Sequence, residues 1–574
     1  MNEAVTLSHL GDAARLLGNP LKATRHHSDA IGLFESVQVT VVNDEAKAGY
    51  QAAMYNSYRA LVSLLVERQR SDDSAHELPR EAFELAEKGR ARALLFMLSD
   101  SRTPLFDMAP SQLTQDRALR ERIDATTLRL IEVKAVRSVD RDREQIDRLE
   151  RDLSVLQDEL ERLEADFVGE HPAAANHLKL PSLALDDMER WLTSSDVTLL
   201  EYLLAPDESY LFTLGAAGLR LYILPPEERV RALVTELLSK VRNKEPDYQQ
   251  LGEELFTVLI PPTLRDALGK QLLIAPDGIL HYFPFEILLQ GKLEEQTKGT
   301  FAGTTNSEAV KIQTGGTRYL VCEYAVRYVS SATAFFANVS SSGIATEYTK
   351  QFAGVAPVDF PNKGPGPGPG PEMSLYRGCA FNSLPHTEEE VGAICDLYGK
   401  EKSLGLLREA ATKEALGQHD VLGARYLHIA THGAANENRP LFSGLLLSAG
   451  VNGESGFFSG FDILKLRVSA EMVVLSACDT GLGKLVQGEG LIGLTRSFLQ
   501  AGAKSVVVSL WEVDDYATAE LMKRFYTALE ADDSLEKTEA LRGAKESMIK
   551  NPPKATDDRD RTHPYYWAPF IFVG

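Results

Sequence analysis

Two rhythms of apolar residues divide this chain of 574 residues. Up to Phe167, apolar side chains recur every three or four positions between charged ones, the spacing of helices that bury one stripe. From Thr198 onward the pattern becomes short runs rich in aliphatic and β-branched residues, separated by turn signals or amphipathic stretches. TLLEYLL and YLFTLGAAGLRLYIL, broken at Ala205–Ser209 and Gly215–Gly218, predict hairpin strands, and QLLIAPDG predicts another strand ahead of YFPFEIL. HTEEEVGAICDLY then reads as a helix, YLHIAT as a strand, GLLLSAG with GFFSG as a small hairpin and MVVLSA as a strand. LIGLTRSFLQAG reads as a helix, SVVVSL as a strand, ATAELMKRFYTAL as a helix and the last run, FIFV, as an edge strand. Such alternation predicts an α/β fold, a mostly parallel sheet with helices on both faces.

Within the first hundred residues, Leu7, Leu10, Gly11, Ala14, Ala23 and Ala30 stand at the spacings of a tetratricopeptide repeat, where small residues let paired helices approach closely. His27 falls where that pattern wants a large aromatic, so the repeat is degenerate. A second helix pair is expected across Tyr50–Leu98, with Ala82, Ala86 and Gly89 at close-packing positions. Residues 1–100 thus read as tetratricopeptide-like helical repeats, too few for a free-standing solenoid and expected to lean on the domain that follows. Residues 101–179 read as a long-helix, coiled-coil-like linker. There Ile146, Leu149, Leu153, Leu156, Leu160, Leu163 and Phe167 draw a 3-4-3-4 stripe, which either packs on the neighbouring repeats or seats a dimeric coiled coil. Residues 293–317, and the GPGPGPGP run within 361–371, are expected surface loops whose composition builds no core.

Composition narrows the function classes. A hydrophobic content of 44% is ample for buried cores, and a formal net charge of -21 argues against a nucleic-acid surface, which needs clustered Lys and Arg. Basic or protein partners suit such a chain better. Cys322, Cys379, Cys395 and Cys478 show no CxxC spacing and are too sparse for a disulfide framework, as expected of a reducing cytoplasm. MNEAVTLSHL lacks a basic segment followed by an apolar core, and no run approaches ~18 apolar residues, so a soluble cytoplasmic protein without a membrane span is expected.

The candidate chemistry sits where YLHIAT and MVVLSA end. Both runs are apolar on both faces, as in buried parallel strands, and ligands bind just beyond the carboxyl ends of such strands. The first delivers His432 beside Gly433; the second delivers Cys478, followed by Asp479, Thr480 and Gly481. A thiol with an ordinary pKa of about 8.5 needs a nearby base or cation to act as a thiolate near neutral pH, and a histidine on an adjacent strand end would supply it. His432 and Cys478 are therefore the candidate catalytic dyad, with the backbone amides of Gly433 and Cys478 as candidates to hold an oxyanion. His428 reads as a core histidine. On a strand it stands about 13 Å from His432, too far to share a metal ion, so neither metal nor cofactor is expected. IAPDG echoes IATHG with Asp277 in the place of the histidine, which hints that the earlier strands form a degenerate copy of the later ones.

HIATHG, LSACDTGLG and GEGLIGLTRSFLQAGAKSVVVSLWEVDD, together with LLIAPDGILHYFPFEIL and LPHTEEEV, resemble the CHAT family of caspase-like cysteine peptidases from roughly Leu180 onward. The resemblance implies a caspase-like fold, with residues 180–300 as a pseudo-catalytic half and 301–574 as the catalytic half, and a cysteine endopeptidase activity carried by His432 and Cys478. The caspase signature Q-A-C-[RQG]-G matches in spacing but not in letters, since Ser476 precedes Ala477 and Asp479 follows the cysteine. By resemblance to separase-like and CHAT sites with an LW-x-V-x-D segment, Asp514 or Asp515 floors the substrate pocket, which favours cleavage after a basic residue; their residue-level role is to cap the helix beginning near Tyr516. The implied partners are a protein substrate and a regulatory protein met by the helical repeats. Two other readings stay open at this point: an inactive, caspase-like scaffold, and a non-peptidase acyl hydrolase using the same dyad.

Overall fold

A computed structural model describes residues 2–36, 44–71, 78–101, 118–119, 122–123, 126, 129, 143–170, 185–290, 318–341, 347–358, 383–434, 443–450, 455–476, 485–486, 490–491, 493–511, 513–554 and 559–574. The expected loops at 293–317 and 361–371 lie outside these residues.

The chain opens with helices α1 (Asn2–Leu16), α2 (Pro20–Ser36), α3 (Asp44–Ser71) and α4 (Leu78–Ser101), each packed on the next. The small residues do what repeat spacing demands. A Cβ on Gly11 would stand 2.5 Å from the ring of the fully buried His27, and one on Gly89 would stand 2.9 Å from Tyr58. His27 thus fills the hole meant for an aromatic ring, and burial lowers its pKa. Helix α5 (Arg143–Glu170) carries the heptad stripe, and its described members Ile146, Leu149, Leu153 and Leu156 pack with Leu119, Ile123 and Phe461. Among the described residues, this part of the stripe is covered by the chain's own linker and by Phe461 of its α/β region.

Helix α6 (Leu185–Ser194) leads into the meander β1 (Val197–Leu203), β2 (Ser209–Leu214) and β3 (Arg220–Leu224). Next come α7 (Glu227–Arg242), α8 (Gln249–Leu259), β4 (Gln271–Ala275), β5 (Leu289–Gln290), β6 (Arg318–Tyr319), β7 (Ala325–Tyr328) and α9 (Ala332–Ser341). The C-terminal part runs β8 (Phe352–Ala356), α10 (Pro385–Tyr398), β9 (Ser403–Leu407), β10 (Tyr426–Ala430), β11 (Gly433–Ala434), β12 (Gly444–Leu446) and β13 (Phe457–Ser459). It continues as α11 (Gly460–Leu464), β14 (Met472–Ser476), β15 (Leu485–Val486), β16 (Gly490–Leu491), α12 (Leu494–Ala501), β17 (Val506–Ser509), α13 (Asp515–Ala531), α14 (Lys537–Lys550) and β18 (Phe570–Val573).

Eleven strands form one sheet in the order β3-β2-β1-β4-β7-β18-β17-β14-β10-β8-β9. Strands β1, β4, β7 and β18 run parallel, as do β17, β14, β10, β8 and β9, but β17 and β18 meet antiparallel. The two halves therefore point in opposite directions, and the carboxyl ends of β4 and β10 lie at opposite edges of the sheet. FIFV is not the edge strand its terminal position implies. It is the seam between the halves, and it is apolar throughout because it is covered on both faces. The edges fall to β3, where Arg220 and Ile223 are exposed, and to β9.

Side chains alternate across β1: Leu199 and Leu203 join a core with Tyr55, Val62, Phe83 and Ala86 of α3 and α4, while Leu200 and Tyr202 face α7 and α8. The repeat helices thus cover one face of the N-terminal half of the sheet. Among the described residues, no helix is long and apolar enough to cross a membrane.

Candidate active site

Strands β10 and β14 are fully buried neighbours, paired in parallel from Tyr426↔Met472 to Ala430↔Ser476. The Thr431 N–H donates to the Ser476 carbonyl at 3.1 Å and extends that pairing by one step. His432 follows, half-buried, two residues past the last register pair. Position 478 lies at the same offset from Ser476, but Cys478 itself is outside the described residues.

What fixes His432 is a second, smaller sheet. Beyond it the chain enters β11, which pairs antiparallel with β12, and β12 pairs with β13. The Leu446 N–H donates to the His432 carbonyl at 3.0 Å, and the Thr431 hydroxyl donates to the Leu446 carbonyl. That bonding makes Gly433↔Leu445 a non-hydrogen-bonded pair, so the Gly433 N–H faces away from β12, off the open edge of β11. A backbone donor beside the histidine and turned away from its own ladder is the arrangement an oxyanion requires.

The two acids after SLWEV separate into different roles. Asp514 is the N-cap of α13: its carboxylate accepts the Ala517 N–H at 3.0 Å. The same carboxylate meets Arg559 at 3.1 Å and lies 3.8 Å from the buried Arg561, so its charge is already matched. Among the described residues, Asp515 receives the His386 N–H alone, at 3.2 Å, from the first turn of α10. Burial pushes the Asp515 carboxyl up to about 6, against the lowering influence of that bond, with Glu390 and Asp514 adding repulsion.

His428 is a core residue, as its place in mid-strand implies. It has no exposure, its Nδ1 lies 3.2 Å from the Tyr526 hydroxyl, and its Nε2 stands 2.8 Å from Glu390 Oε1 in an ion-pair contact that lies off the hydrogen-bonding direction. Glu390 was hidden in the sequence because HTEEEV offers three acids in a row and only helical phase puts this one inside. Arg559 and Arg561 gave no signal either, since they reach Asp514 from 45 and 47 positions downstream. Among the described residues, no group of three or more His, Cys, Asp or Glu side chains is placed to hold a metal ion.

Comparisons with known proteins follow this geometry. The family description "CHAT domain" matches residues 249–574. Tetratricopeptide repeat protein 28 is similar over 115 residues, at 35% identity in Mus musculus and 33% in Homo sapiens. That stretch covers 20% of this chain, which spans only 4% of the length of those curated relatives. Among solved structures, the Saccharomyces cerevisiae separase-securin complex aligns over 97% of this chain and 40% of its own, at 10% identity and a TM-score of 0.45. The Arg specific cysteine proteinase gingipain R aligns over 60% of this chain and 75% of its own, at 9% identity and a TM-score of 0.30. The fold is α/β, a mostly parallel sheet flanked by helices, with an all-α N-terminal region. With the CHAT match covering more than half of its length, the chain belongs to the CHAT domain family.

Proposed function

We propose that this protein is a cysteine endopeptidase in which Cys478 is the nucleophile and His432 the general acid-base. One observation carries the reading: β10 and β14 are adjacent, parallel and in register, so positions 432 and 478 follow the last pair at equal offset, beside the outward N–H of Gly433. The thiolate attacks a peptide carbonyl, and its electron pair passes to the carbonyl oxygen, which the Gly433 and Cys478 amides stabilise. His432 protonates the leaving amine as the C–N bond breaks, then takes a proton from the water that hydrolyses the thioester.

Asp515, rather than the matched Asp514, is the acid that floors the pocket. A desolvated carboxylate gains most from a guanidinium that offers paired hydrogen bonds, which favours cleavage after Arg or Lys. Residues 1–100 act as the recruiting module for a protein partner, 101–179 as the linker, 180–300 as the non-catalytic half and 301–574 as the catalytic half, in a cytoplasmic protein. The test is proteolysis of a mixed peptide library by purified Cys478→Ala and His432→Ala proteins. Both are expected to lose about 10⁴-fold or more in kcat/KM while keeping the wild-type melting temperature. Cleavage that survives either change sinks the dyad.

A further inference from the structure

The strand ends of the N-terminal half are already occupied. Asp277 follows β4 at the offset at which His432 follows β10, and it is the N-cap of a 3-10 turn, Gly278–Tyr282, in which Gly278 takes φ +51°. Open α/β sheets bind ligands in this position. Here the occupant is α4. Arg90, with 1% of its surface exposed, donates to the Pro276 carbonyl at 2.8 Å and to the Tyr202 carbonyl, and its Nε lies 3.4 Å from the buried Glu201. One turn earlier, Glu87 accepts the Ala332 and Thr333 N–H groups at 3.1 and 2.6 Å, capping α9 just beyond β7. Tyr55 of α3 faces Asp277, whose carboxylate also accepts the Leu204 N–H at 2.8 Å.

The turn itself touches something else. The antiparallel pair β15 and β16, which follows position 478 in the chain, lies with its backbone against Gly278–Tyr282, in the other half of the molecule. His281, buried within that turn, is close enough to Arg90 to feel its charge. One short turn is therefore shared between the repeat helices and the strand pair downstream of the nucleophile.

We infer that Arg90 and Asp277 are positioning residues for the reaction: with α4 seated in the non-catalytic crevice, they hold the Gly278–Tyr282 turn, and the turn holds β15–β16. The inference rests on the peptidase reading for its effect on turnover, but the coupling stands on the contacts alone.

The Cys478→Ser variant of the whole 574-residue chain reads the coupling without the reaction, through hydrogen exchange of amides 485–491 followed by mass spectrometry. Asp277→Asn keeps the acceptor for Leu204 and removes the charge, and it is expected to speed that exchange about tenfold. Arg80→Ala deletes the exposed Arg80–Asp186 pair from the same helix and is expected to change nothing. Unchanged exchange in Asp277→Asn, or an equal rise in Arg80→Ala, overturns the coupling. With Cys478 restored, Asp277→Asn should lower kcat about tenfold with KM within about twofold, and Arg90→Lys should retain more of kcat than Arg90→Met. A kcat unmoved by Asp277→Asn overturns the positioning role. A wild-type chain that cleaves no peptide refutes the peptidase reading alone, and the exchange result still decides the coupling.

Discussion

Asp514 and Asp515 are neighbours in sequence, yet their charges meet opposite fates. The cap and two guanidinium groups match Asp514, whereas Asp515 is desolvated and its pKa is raised from 3.8 to about 6. A raised acid works against the fold once ionised: between about pH 3.8 and 6 the native state holds the proton more tightly than the unfolded chain, so stability falls as pH rises through that window. Asp515→Asn keeps an oxygen for the His386 N–H and removes the charge. Its melting temperature should match wild type near pH 4 and exceed it at pH 7.5, which thermal denaturation across that range checks. Under the proposed peptidase function, kcat/KM on Arg-containing peptides should rise with pH through about 6 in wild type and lose that limb in Asp515→Asn. Which of the two acids caps the helix was not legible in the sequence, because either suits an N-cap and the arginines that decide it come from a distant segment. The place of His432 just past a strand end was legible, because an apolar run, a histidine and a glycine mark such an end without help from the rest of the chain.

At the scale of elements, a cluster at the amino ends of β10 and β14 pins the C-terminal half of the sheet. Burial would raise the Glu471 carboxyl, but Lys537 at 3.1 Å and Arg425 at 3.0 Å hold it down to about 2. A depressed acid stabilises the fold above its ordinary value near 4.5 and loses that contribution as pH falls through about 2. Glu471→Gln should therefore melt below wild type at pH 7, the gap closing as pH is lowered from 5 toward 2.5. Arg90 bridges elements more severely: Arg90→Met strands Glu201 and two carbonyls in a dry site and should cost about 3–5 kcal/mol in chemical denaturation. Strands and helices were readable from periodicity because each buries its own pattern. The polar ties between them were not, because Glu87 and Arg90 look like any charged helix surface until the sheet end they face is known.

Across the whole molecule, the seam decides the architecture. A terminal apolar tetrapeptide reads as an edge, and nothing in FIFV says that it will be clasped by β7 on one side and β17 on the other. That pairing sets the halves in opposite directions and is invisible to local pattern. Ending the chain before Phe570 would expose the edges of β7 and β17 in the middle of the sheet, and the expected result is insoluble protein. The repeats likewise cover a sheet face, so they are part of the folded unit. Covalent labelling of this 574-residue chain with iodoacetamide at pH 7, located by peptide mass spectrometry, reads the pairing of Cys478 with His432. Burial pushes the Cys322 and Cys395 thiols up, so both should react slowly. Cys478 should be labelled stoichiometrically and first, and His432→Ala should slow its labelling about 100-fold. Labelling of Cys478 no faster than of Cys322 and Cys395, or a rate indifferent to His432→Ala, would contradict the account.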